Sequence, residues 1–232
     1  MTETATATSY AAEQWDDLYR NGRYRDEPPV PFVGTILDSL NDVDRKGYGL
    51  YVGCGNGRNY LPLVAAGLKL HGIDVSREGI RQIRTMIPDT ENSTFVGDFG
   101  NYQGANVFRY IVAIQVFQHG DRSTTDNLFE RSAEALQPGG KLFLRVNSSS
   151  PNLIHKHRVV EGNKRTGKTV LYKEGPKAGQ QVHYYAQPEL ANLAGKHGFS
   201  IIQPMAEVIE QRQPPLKGHW AQWETIWQKE KP

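Results

Sequence analysis

The chain has 232 residues, which is enough for one α/β domain with a substantial core and a modest insertion. Its formal net charge of +2 argues against nucleic acid and against a membrane surface as partners, and no apolar run approaches the ~18 residues of a membrane-spanning helix. The single cysteine excludes an internal disulfide and fits a reducing compartment, so we expect a cytoplasmic protein.

The first forty residues are expected to form helices that precede the sheet. Residues 1–9 lack the basic start and the long apolar core of a secretory signal and are predicted to be a frayed tail. A short helix over residues 10–19 carries an aromatic face, and a second helix over residues 32–40 follows a proline-containing loop. The aromatic face either docks the first helix on the domain or covers a ligand. Its members are Tyr10, Trp15 and Tyr19.

The chain then passes from an apolar strand into a glycine-rich loop, Gly53-Cys54-Gly55-Asn56-Gly57, which is followed by a helical pattern. A buried parallel strand that feeds a helix through glycines is the place where open α/β sheets bind a nucleotide. Glycine permits the turn and lets a ligand contact the backbone, and the amides at the helix start face that ligand. We therefore predict a nucleotide-like cofactor here, with Cys54 as a small buried side chain that fills the turn.

Two acidic residues end the next two apolar segments. Asp74 lies about 20 residues after the loop, where a carboxylate can accept both hydroxyls of a ribose. Asp98 ends the third segment, where it can accept the amine of an adenine while Phe99 packs on the ring. Arg58 occupies the position at which a dinucleotide fingerprint has glycine or alanine, so the two acids indicate adenosine rather than a dinucleotide.

The strongest apolar run covers residues 108–119 and is predicted to be the central fourth strand. The side chains at its C-terminal end, from Gln115 to His119, project toward the crevice in which the ligand lies. The elements predicted after it are a helix over 121–136, a fifth strand over 141–146, a helix over 188–196 and a sixth strand region at 199–202 and 207–209.

The order of these motifs resembles one family. Gly-Cys-Gly-Asn-Gly, Gly-Ile-Asp-Val-Ser, Gly-Asp-Phe and Leu-Gln-Pro-Gly-Gly-Lys follow one another over residues 45–147 as in class I S-adenosylmethionine-dependent methyltransferases. The run Gly-Cys-Gly-Asn-Gly-Arg-Asn resembles the small-molecule branch that contains the tellurite-resistance and thiopurine methyltransferases. The resemblance implies S-adenosylmethionine as cofactor and a Rossmann-like α/β sandwich, with a mostly parallel seven-stranded sheet and helices on both faces. It also implies a last antiparallel strand, which we expect over residues 223–228.

Two positions depart from the pattern of the resembling family. Tyr51 stands two positions before the first glycine, where the family has an acid that helps to anchor the amino group of the cofactor's methionine part. Arg109 stands near the start of the fourth strand, where the family commonly has an aspartate. We expect a compensating anchor from backbone carbonyls of the glycine loop or from a group elsewhere.

Residues 148–186 are predicted to be an insertion after the fifth strand. Residues 148–181 hold seven Lys or Arg against two acids, and the segments 169–172 and 181–185 have the pattern of a β-hairpin with a long loop. The hairpin is either a substrate lid whose cations face an anionic group or a solvated, mobile loop. The predicted organisation is then N-terminal lid helices over 1–40 and a cofactor-binding methyltransferase domain over 41–232.

The chemistry implied by the resemblance makes limited demands on side chains. Methyl transfer is an in-line displacement that needs a nucleophile about 3 Å away and exclusion of water. Aromatic faces stabilise the sulfonium cation, and a hydroxyl or protonated amine acceptor also needs a base. His119 is the first candidate base because it ends the fourth strand and titrates near neutrality, although a lone histidine also suits a structural role. His183 and Tyr184 on the hairpin are the next catalytic candidates.

The predicted sites follow from these arguments. No cluster of His, Cys and carboxylate residues has the spacing of a metal site, so we expect no metal. The predicted cofactor-binding residues are Gly53, Cys54, Gly55, Asn56, Gly57, Asn59, Asp74, Val75, Asp98, Phe99 and Gln115. The predicted substrate-binding residues are Tyr10, Trp15, Tyr19 and Phe117.

The leading functional hypothesis is a methyltransferase that acts on the N, S or O atom of a small-molecule acceptor. A protein or nucleic-acid methyltransferase is the first alternative, and the near-neutral charge and the lack of an appended recognition domain count against it. A non-catalytic adenosine-binding module is the second alternative, which Tyr51 and Arg109 keep open. A homo-oligomer is also left open, because the tryptophans near the C-terminus suit either the core or a dimer surface.

Overall fold

The computed structural model describes residues 3–163 and 165–231, with side chains from residue 11 onward. Tyr10, a predicted substrate-binding residue, therefore has its side chain outside the described residues. The helices are α1 (Glu3–Arg20), α2 (Phe32–Ser39), α3 (Asp42–Lys46), α4 (Tyr60–Ala65), α5 (Arg77–Met86), α6 (Arg122–Ala135) and α7 (Gln187–Lys196). The strands are β1 (Gly49–Val52), β2 (Leu70–Asp74), β3 (Thr94–Val96), β4 (Phe108–Ile114), β5 (Leu136–Asn147), β6 (His157–Asn163), β7 (Gly167–Tyr172), β8 (Gln181–Tyr184), β9 (Phe199–Gln211) and β10 (His219–Lys229).

Seven of the strands form one sheet in the order β3-β2-β1-β4-β5-β10-β9. Neighbouring strands from β3 to β5 are parallel, whereas β10 runs antiparallel to both β5 and β9. This topology confirms the predicted Rossmann-like sheet with an antiparallel last strand. β10 contains the predicted residues 223–228 and extends beyond them on both sides.

The central strands of the sheet are buried on both faces, which explains the continuous apolar run of β4. Successive side chains of a strand point to opposite faces. Along β4, Ile111 and Ala113 belong to a core that also holds residues of α6 and α7, whereas Tyr110 and Val112 belong to a core with residues of α2, α4 and α5. Helices therefore cover both faces, as predicted.

The insertion contains more structure than the predicted hairpin. β7 and β8 correspond to the two predicted segments, and β6 pairs antiparallel with β7 to complete a separate three-stranded sheet. Most residues of β6 are exposed. A strand that buries neither face carries no apolar alternation, so its sequence gives no strand signal.

The boundaries of α1, β4 and β5 are among those that differ from the sequence prediction. α1 begins at Glu3, so the prediction of a frayed tail is wrong over residues 3–9. β4 ends at Ile114, because Gln115 takes a left-handed backbone conformation with φ +60° that ends the strand. β5 begins at Leu136, directly after α6, and its pairing with β4 shifts register between Phe108 and Tyr110.

A buried carboxylate explains the arginine near the start of the fourth strand. Asp44 of α3 is 1% exposed, and its carboxylate lies 2.7 Å from Lys141 Nζ and 3.3 Å from Arg109 Nη2. Asn41 caps α3 by accepting hydrogen bonds from the backbone N–H groups of Val43 and Asp44. Arg109 thus pairs with an acid outside the sheet, at the edge remote from the glycine loop.

None of the helices in residues 3–163 and 165–231 combines the length and the apolar character needed to cross a membrane. Within the same two ranges, no three His, Cys, Asp or Glu side chains come together as a metal site.

Candidate active site

A cavity of about 670 Å³ lies at the carboxyl ends of the parallel strands. Open α/β sheets bind their ligands at this edge. Its floor comes from the glycine loop and from the ends of β2, β3 and β4. Its roof comes from α1 and from residues 179–181, the end of the loop that joins β7 to β8.

Gly53 and Gly55 of the glycine loop have a left-handed backbone and are closely packed. Gly53 has φ +68°, and a Cβ there would lie 2.1 Å from Val116 Cγ2. Gly55 has φ +54°, and a Cβ there would lie 2.4 Å from Tyr19 Oη. A side chain at either position would displace a wall of the cavity. Cys54 between them is buried, and burial raises the pKa of its thiol well above the ordinary value, as suits a side chain that fills the turn.

Asp74 connects the end of β2 to the glycine loop. Its carboxylate accepts hydrogen bonds from the backbone N–H of Gly55 at 2.7 Å and of Ser76 at 2.8 Å. Burial raises its pKa to about 6. Because a carboxylate can accept about four hydrogen bonds, Asp74 can hold the loop and still accept ribose hydroxyls. Val75 lines the cavity beside it.

Asp98 and Phe99 line the same cavity at the end of β3. Asp98 accepts a hydrogen bond from the backbone N–H of Gly100 at 2.8 Å, which fixes the direction of its carboxylate. The Phe99 ring is buried and stacks on Tyr102 with 5.8 Å between centroids. The two acids predicted to bind adenosine therefore reach one cavity, as adjacent parallel strands require.

Beside the glycine loop, at its helix end, the cavity is lined by Tyr51, Asn59, Arg58 and Gln115. Tyr51 is buried and packs edge-on against Tyr60, and burial raises the pKa of its hydroxyl, which is therefore uncharged. Arg58 Nη2 lies 3.4 Å from Gln115 Oε1. Where the resembling family has an acid, this chain has a neutral phenol with an arginine close by.

The roof is fastened by hydrogen bonds between distant parts of the chain. Gln14 of α1 donates to the carbonyl of Ala178 at 3.2 Å and accepts from the side chain of Gln180. Asp16 of α1 accepts from the Ser76 hydroxyl and from the backbone N–H of Glu78 at the start of α5. Trp15 and Tyr19, both predicted to bind substrate, line the cavity from the same helix.

His119 lies in the cavity wall, with its ring edge-on to Trp15 at 5.5 Å between centroids. Its Nε2 lies 3.2 Å from the carbonyl oxygen of Gln115. Since a carbonyl only accepts, Nε2 carries the proton and Nδ1 is left as a hydrogen-bond acceptor. Burial and the nearby charge of Lys177 lower its pKa to about 3, so the prediction that it titrates near neutrality is wrong.

Four predicted site residues lie outside the lining of this cavity. The two ring nitrogens of His183 contact Thr169 Oγ1 and Glu189 Oε2, and the ring is fully buried beneath the small sheet. The hydroxyl of Tyr184 bonds that of Tyr172 on the opposite face of that sheet, in a buried cluster with Val170 and Val182. Phe117 belongs to the core beneath the sheet, and Gly57 faces the packed side chain of Leu61. The three side chains, and the position that a Cβ at Gly57 would take, meet protein instead of open space, which sequence position alone does not reveal.

Other lining residues were not predicted from the sequence. Tyr24 comes from the loop after α1, Asp121 caps α6, and Arg58 appeared only as an argument against a dinucleotide. Tyr24 has a left-handed backbone conformation, with φ +63°, which is uncommon for any residue other than glycine. A tyrosine in the sequence therefore does not predict it.

An open α/β sheet with a glycine loop and two carboxylates at one cavity defines the class of proteins that hold a nucleotide-type cofactor at their strand ends. Residues 23–204 match the family described as "Methyltransferase domain". The match covers most of the chain, and the chain belongs to this family. It is an S-adenosylmethionine-dependent methyltransferase.

The chain is 27% identical over 167 residues to an uncharacterized methyltransferase of Bacillus mycoides, covering 71% of this chain and 76% of that protein. Its fold is similar to that of a Burkholderia thailandensis 1,6-didemethyltoxoflavin-N1-methyltransferase solved with 1,6-didemethyltoxoflavin and S-adenosylhomocysteine (TM-score 0.66, 17% identity, 97% and 91% of the two chains). It is also similar to Haemonchus contortus phosphoethanolamine N-methyltransferase 2 (0.61, 16%, 88% and 54%) and to the [4+2]-cyclase SpnF (0.67, 13%, 97% and 97%). At these identities the structural likenesses show the fold.

Proposed function

We propose that this methyltransferase acts on a nitrogen or sulfur atom of a small-molecule acceptor that reaches its nucleophilic form in solution and needs no base from the protein. The observation that carries the proposal is one roofed cavity, in which the glycine loop and two acids face His119 and Trp15. We assign the ribose hydroxyls to Asp74 and the adenine amine to Asp98. Bound at these groups, S-adenosylmethionine supplies an electrophilic methyl group.

The charge state of His119 supports the preference for a neutral nucleophile. A side chain with a pKa of about 3 is a weak proton acceptor at neutral pH, because its conjugate acid is far stronger than an ammonium or an alcohol. Its unprotonated Nδ1 can still accept a hydrogen bond from an acceptor N–H and so orient the nucleophile. An uncharged amine, a heterocyclic nitrogen or a thiolate meets this condition, whereas an alcohol needs a stronger base. Oxygen remains the less favoured of the three predicted acceptor atoms.

The roof supports a small acceptor over a protein or nucleic acid. α1 and residues 179–181 both line the cavity, and hydrogen bonds join Gln14 of α1 to Ala178 and Gln180. A macromolecule would have to displace this roof, whereas a small molecule fits beneath it. The resemblance of the glycine loop to the small-molecule branch, and the two structural neighbours whose names include small-molecule N-methylation, support the same proposal.

Incubation of the protein with methyl-labelled S-adenosylmethionine and matched acceptor panels tests the proposal. The panels contain neutral N-heterocycles and amines, thiols, alcohols, histone-type peptides and transfer RNA. We expect labelled product with a heterocycle, an amine or a thiol. Transfer only to an alcohol, a peptide or RNA would refute the acceptor class. Tight S-adenosylhomocysteine binding without transfer to any panel would instead favour a role like that of the structurally similar cyclase, in which the fold serves another reaction.

A further inference from the structure

Arg58 is the one Lys or Arg among the described residues that line the cavity. Its guanidinium is held on two sides: Nη1 pairs with Glu27 at 2.6 Å, and Nη2 lies 3.4 Å from Gln115 Oε1. The ring of Tyr24, another lining residue, packs against it with 4.5 Å from Cζ to the centroid. The side chain is 13% exposed. A cation fixed in this way at a cavity wall is preorganised for an anion.

The neighbourhood of Arg58 lacks the feature by which the resembling family binds the amino-acid part of its cofactor. The position two before Gly53 carries Tyr51, a buried phenol that burial keeps uncharged. The lining acids in the described part of the chain are Asp74, which ends β2, and Asp98 and Asp121, which follow β3 and β4. In this chain the charged side chain that lines the cavity beside the helix end of the glycine loop is therefore a cation, Arg58.

We propose that Arg58 binds the α-carboxylate of the cofactor's methionine part, so that this chain anchors the amino acid through its negative group. The proposal rests on S-adenosylmethionine as the cofactor. The bonds to Glu27 and Gln115 use only two of the N–H groups of the guanidinium, which leaves the others for a carboxylate.

Gln115 is positioned to act with Arg58. Its φ of +60° is uncommon for a residue other than glycine, and its backbone N–H bonds the carbonyl of Arg145, which holds the strained residue at the end of β4. Its side-chain oxygen accepts from Arg58. Uncommon backbone conformations of this kind persist where the surrounding structure fixes them, and they concentrate at ligand sites.

Two probes that differ by the amino-acid part test the proposal by titration calorimetry. S-adenosylhomocysteine carries the α-carboxylate, and 5′-methylthioadenosine keeps the adenosine and lacks the amino acid. Arg58→Gln should weaken S-adenosylhomocysteine by roughly 10- to 100-fold, the loss of hydrogen bonds to a charged group, and change 5′-methylthioadenosine by less than about threefold. Arg58→Lys should fall between, because an ammonium cannot bind a carboxylate through two parallel bonds.

Arg23 provides a matched control. Its guanidinium packs against the same Tyr24 ring, also at 4.5 Å, and it is not part of the cavity lining. Arg23→Gln makes the same change of charge and should alter the affinity for either probe by less than about threefold. Thermal unfolding of each variant confirms that the fold is retained.

The outcomes separate this proposal from the assignments on which it rests. Equal weakening of both probes by Arg58→Gln would show a role in loop structure and overturn the proposal, as would unchanged affinity for both. If Arg58→Gln binds both probes normally and loses affinity only for the methyl acceptor, Arg58 binds the acceptor instead of the cofactor. That result would also overturn the proposal. Wild-type protein that binds neither probe would refute the cofactor assignment itself.

Discussion

Asp74 offers the sharpest test of how the cofactor is held, because one carboxylate serves both the loop and the proposed ribose contact. Replacing Asp74 by asparagine keeps the size of the side chain and removes its charge. It also places an NH2 group where one oxygen now accepts from Gly55 or Ser76, so a donor meets a donor. Hydrogen bonds to a charged group contribute about 1.5–3 kcal/mol. We expect the affinity for S-adenosylhomocysteine to fall by about 1–3 kcal/mol, or roughly 5- to 150-fold.

The pH dependence of binding gives an independent measure of the same carboxylate. Burial raises the pKa of Asp74 to about 6 in the free protein, so the group is ionised at pH 7.5 and largely protonated at pH 5. Ribose hydroxyls bind the ionised form better. The affinity of the wild type for S-adenosylhomocysteine should therefore fall by roughly tenfold between pH 7.5 and pH 5, with the pH dependence expected when one proton binds to Asp74. The Asp74→Asn variant has no such proton and should show a flat profile.

Calorimetric titration of S-adenosylhomocysteine at several pH values checks both expectations. Asp89→Asn, an exposed carboxylate in the turn after α5, is the matched control and should bind like the wild type at every pH. Unchanged affinity of Asp74→Asn at pH 7.5 would refute the ribose assignment. A wild-type pH profile that persists in the variant would assign the proton to another group.

His119→Ala should slow turnover by roughly tenfold, the value of an orienting hydrogen bond, and leave S-adenosylhomocysteine affinity unchanged. At saturating S-adenosylmethionine, the ratio of the wild-type rate to the His119→Ala rate should be the same from pH 6 to pH 9, because a histidine with a pKa of about 3 is neutral throughout. A limb near pH 6.5 that the variant abolishes would show that His119 does act as a base. Asp44→Ala should lower the free energy of unfolding by about 3–5 kcal/mol, since it leaves Lys141 without its buried partner. Denaturant titration measures this loss. The control is Asp42→Ala, which removes an exposed carboxylate and should cost less than about 1 kcal/mol. Equal losses in both variants would show that the buried pair adds nothing to stability.

The parts of the fold predicted correctly are those whose signal is local. The apolar run of β4 predicts a strand buried on both faces, because Ile111 and Val112 must both avoid water. The glycine loop and the acids after β2 and β3 predict a ligand edge, because parallel strands bring their carboxyl ends together. Ten of the predicted cofactor residues line the cavity, with Gly57 as the exception.

The features that the sequence does not reveal depend on contacts between distant residues. In the roof, Gln14 bonds Ala178 and Gln180, which lie 164 and 166 positions later in the chain, and no local pattern encodes these contacts. The low pKa of His119 arises from burial beneath this roof and from Lys177 on the inserted loop. Histidine is a residue type often found in catalysis, and only the buried contacts of His183 to Thr169 and Glu189 show that it supports the small sheet.

The joint between α1 and residues 178–180 is made of amide groups, none of which carries a net charge. Dissolved ions screen charged pairs and leave bonds between amides nearly unaffected. We therefore expect the contact between α1 and residues 178–180 to keep its strength as salt is added.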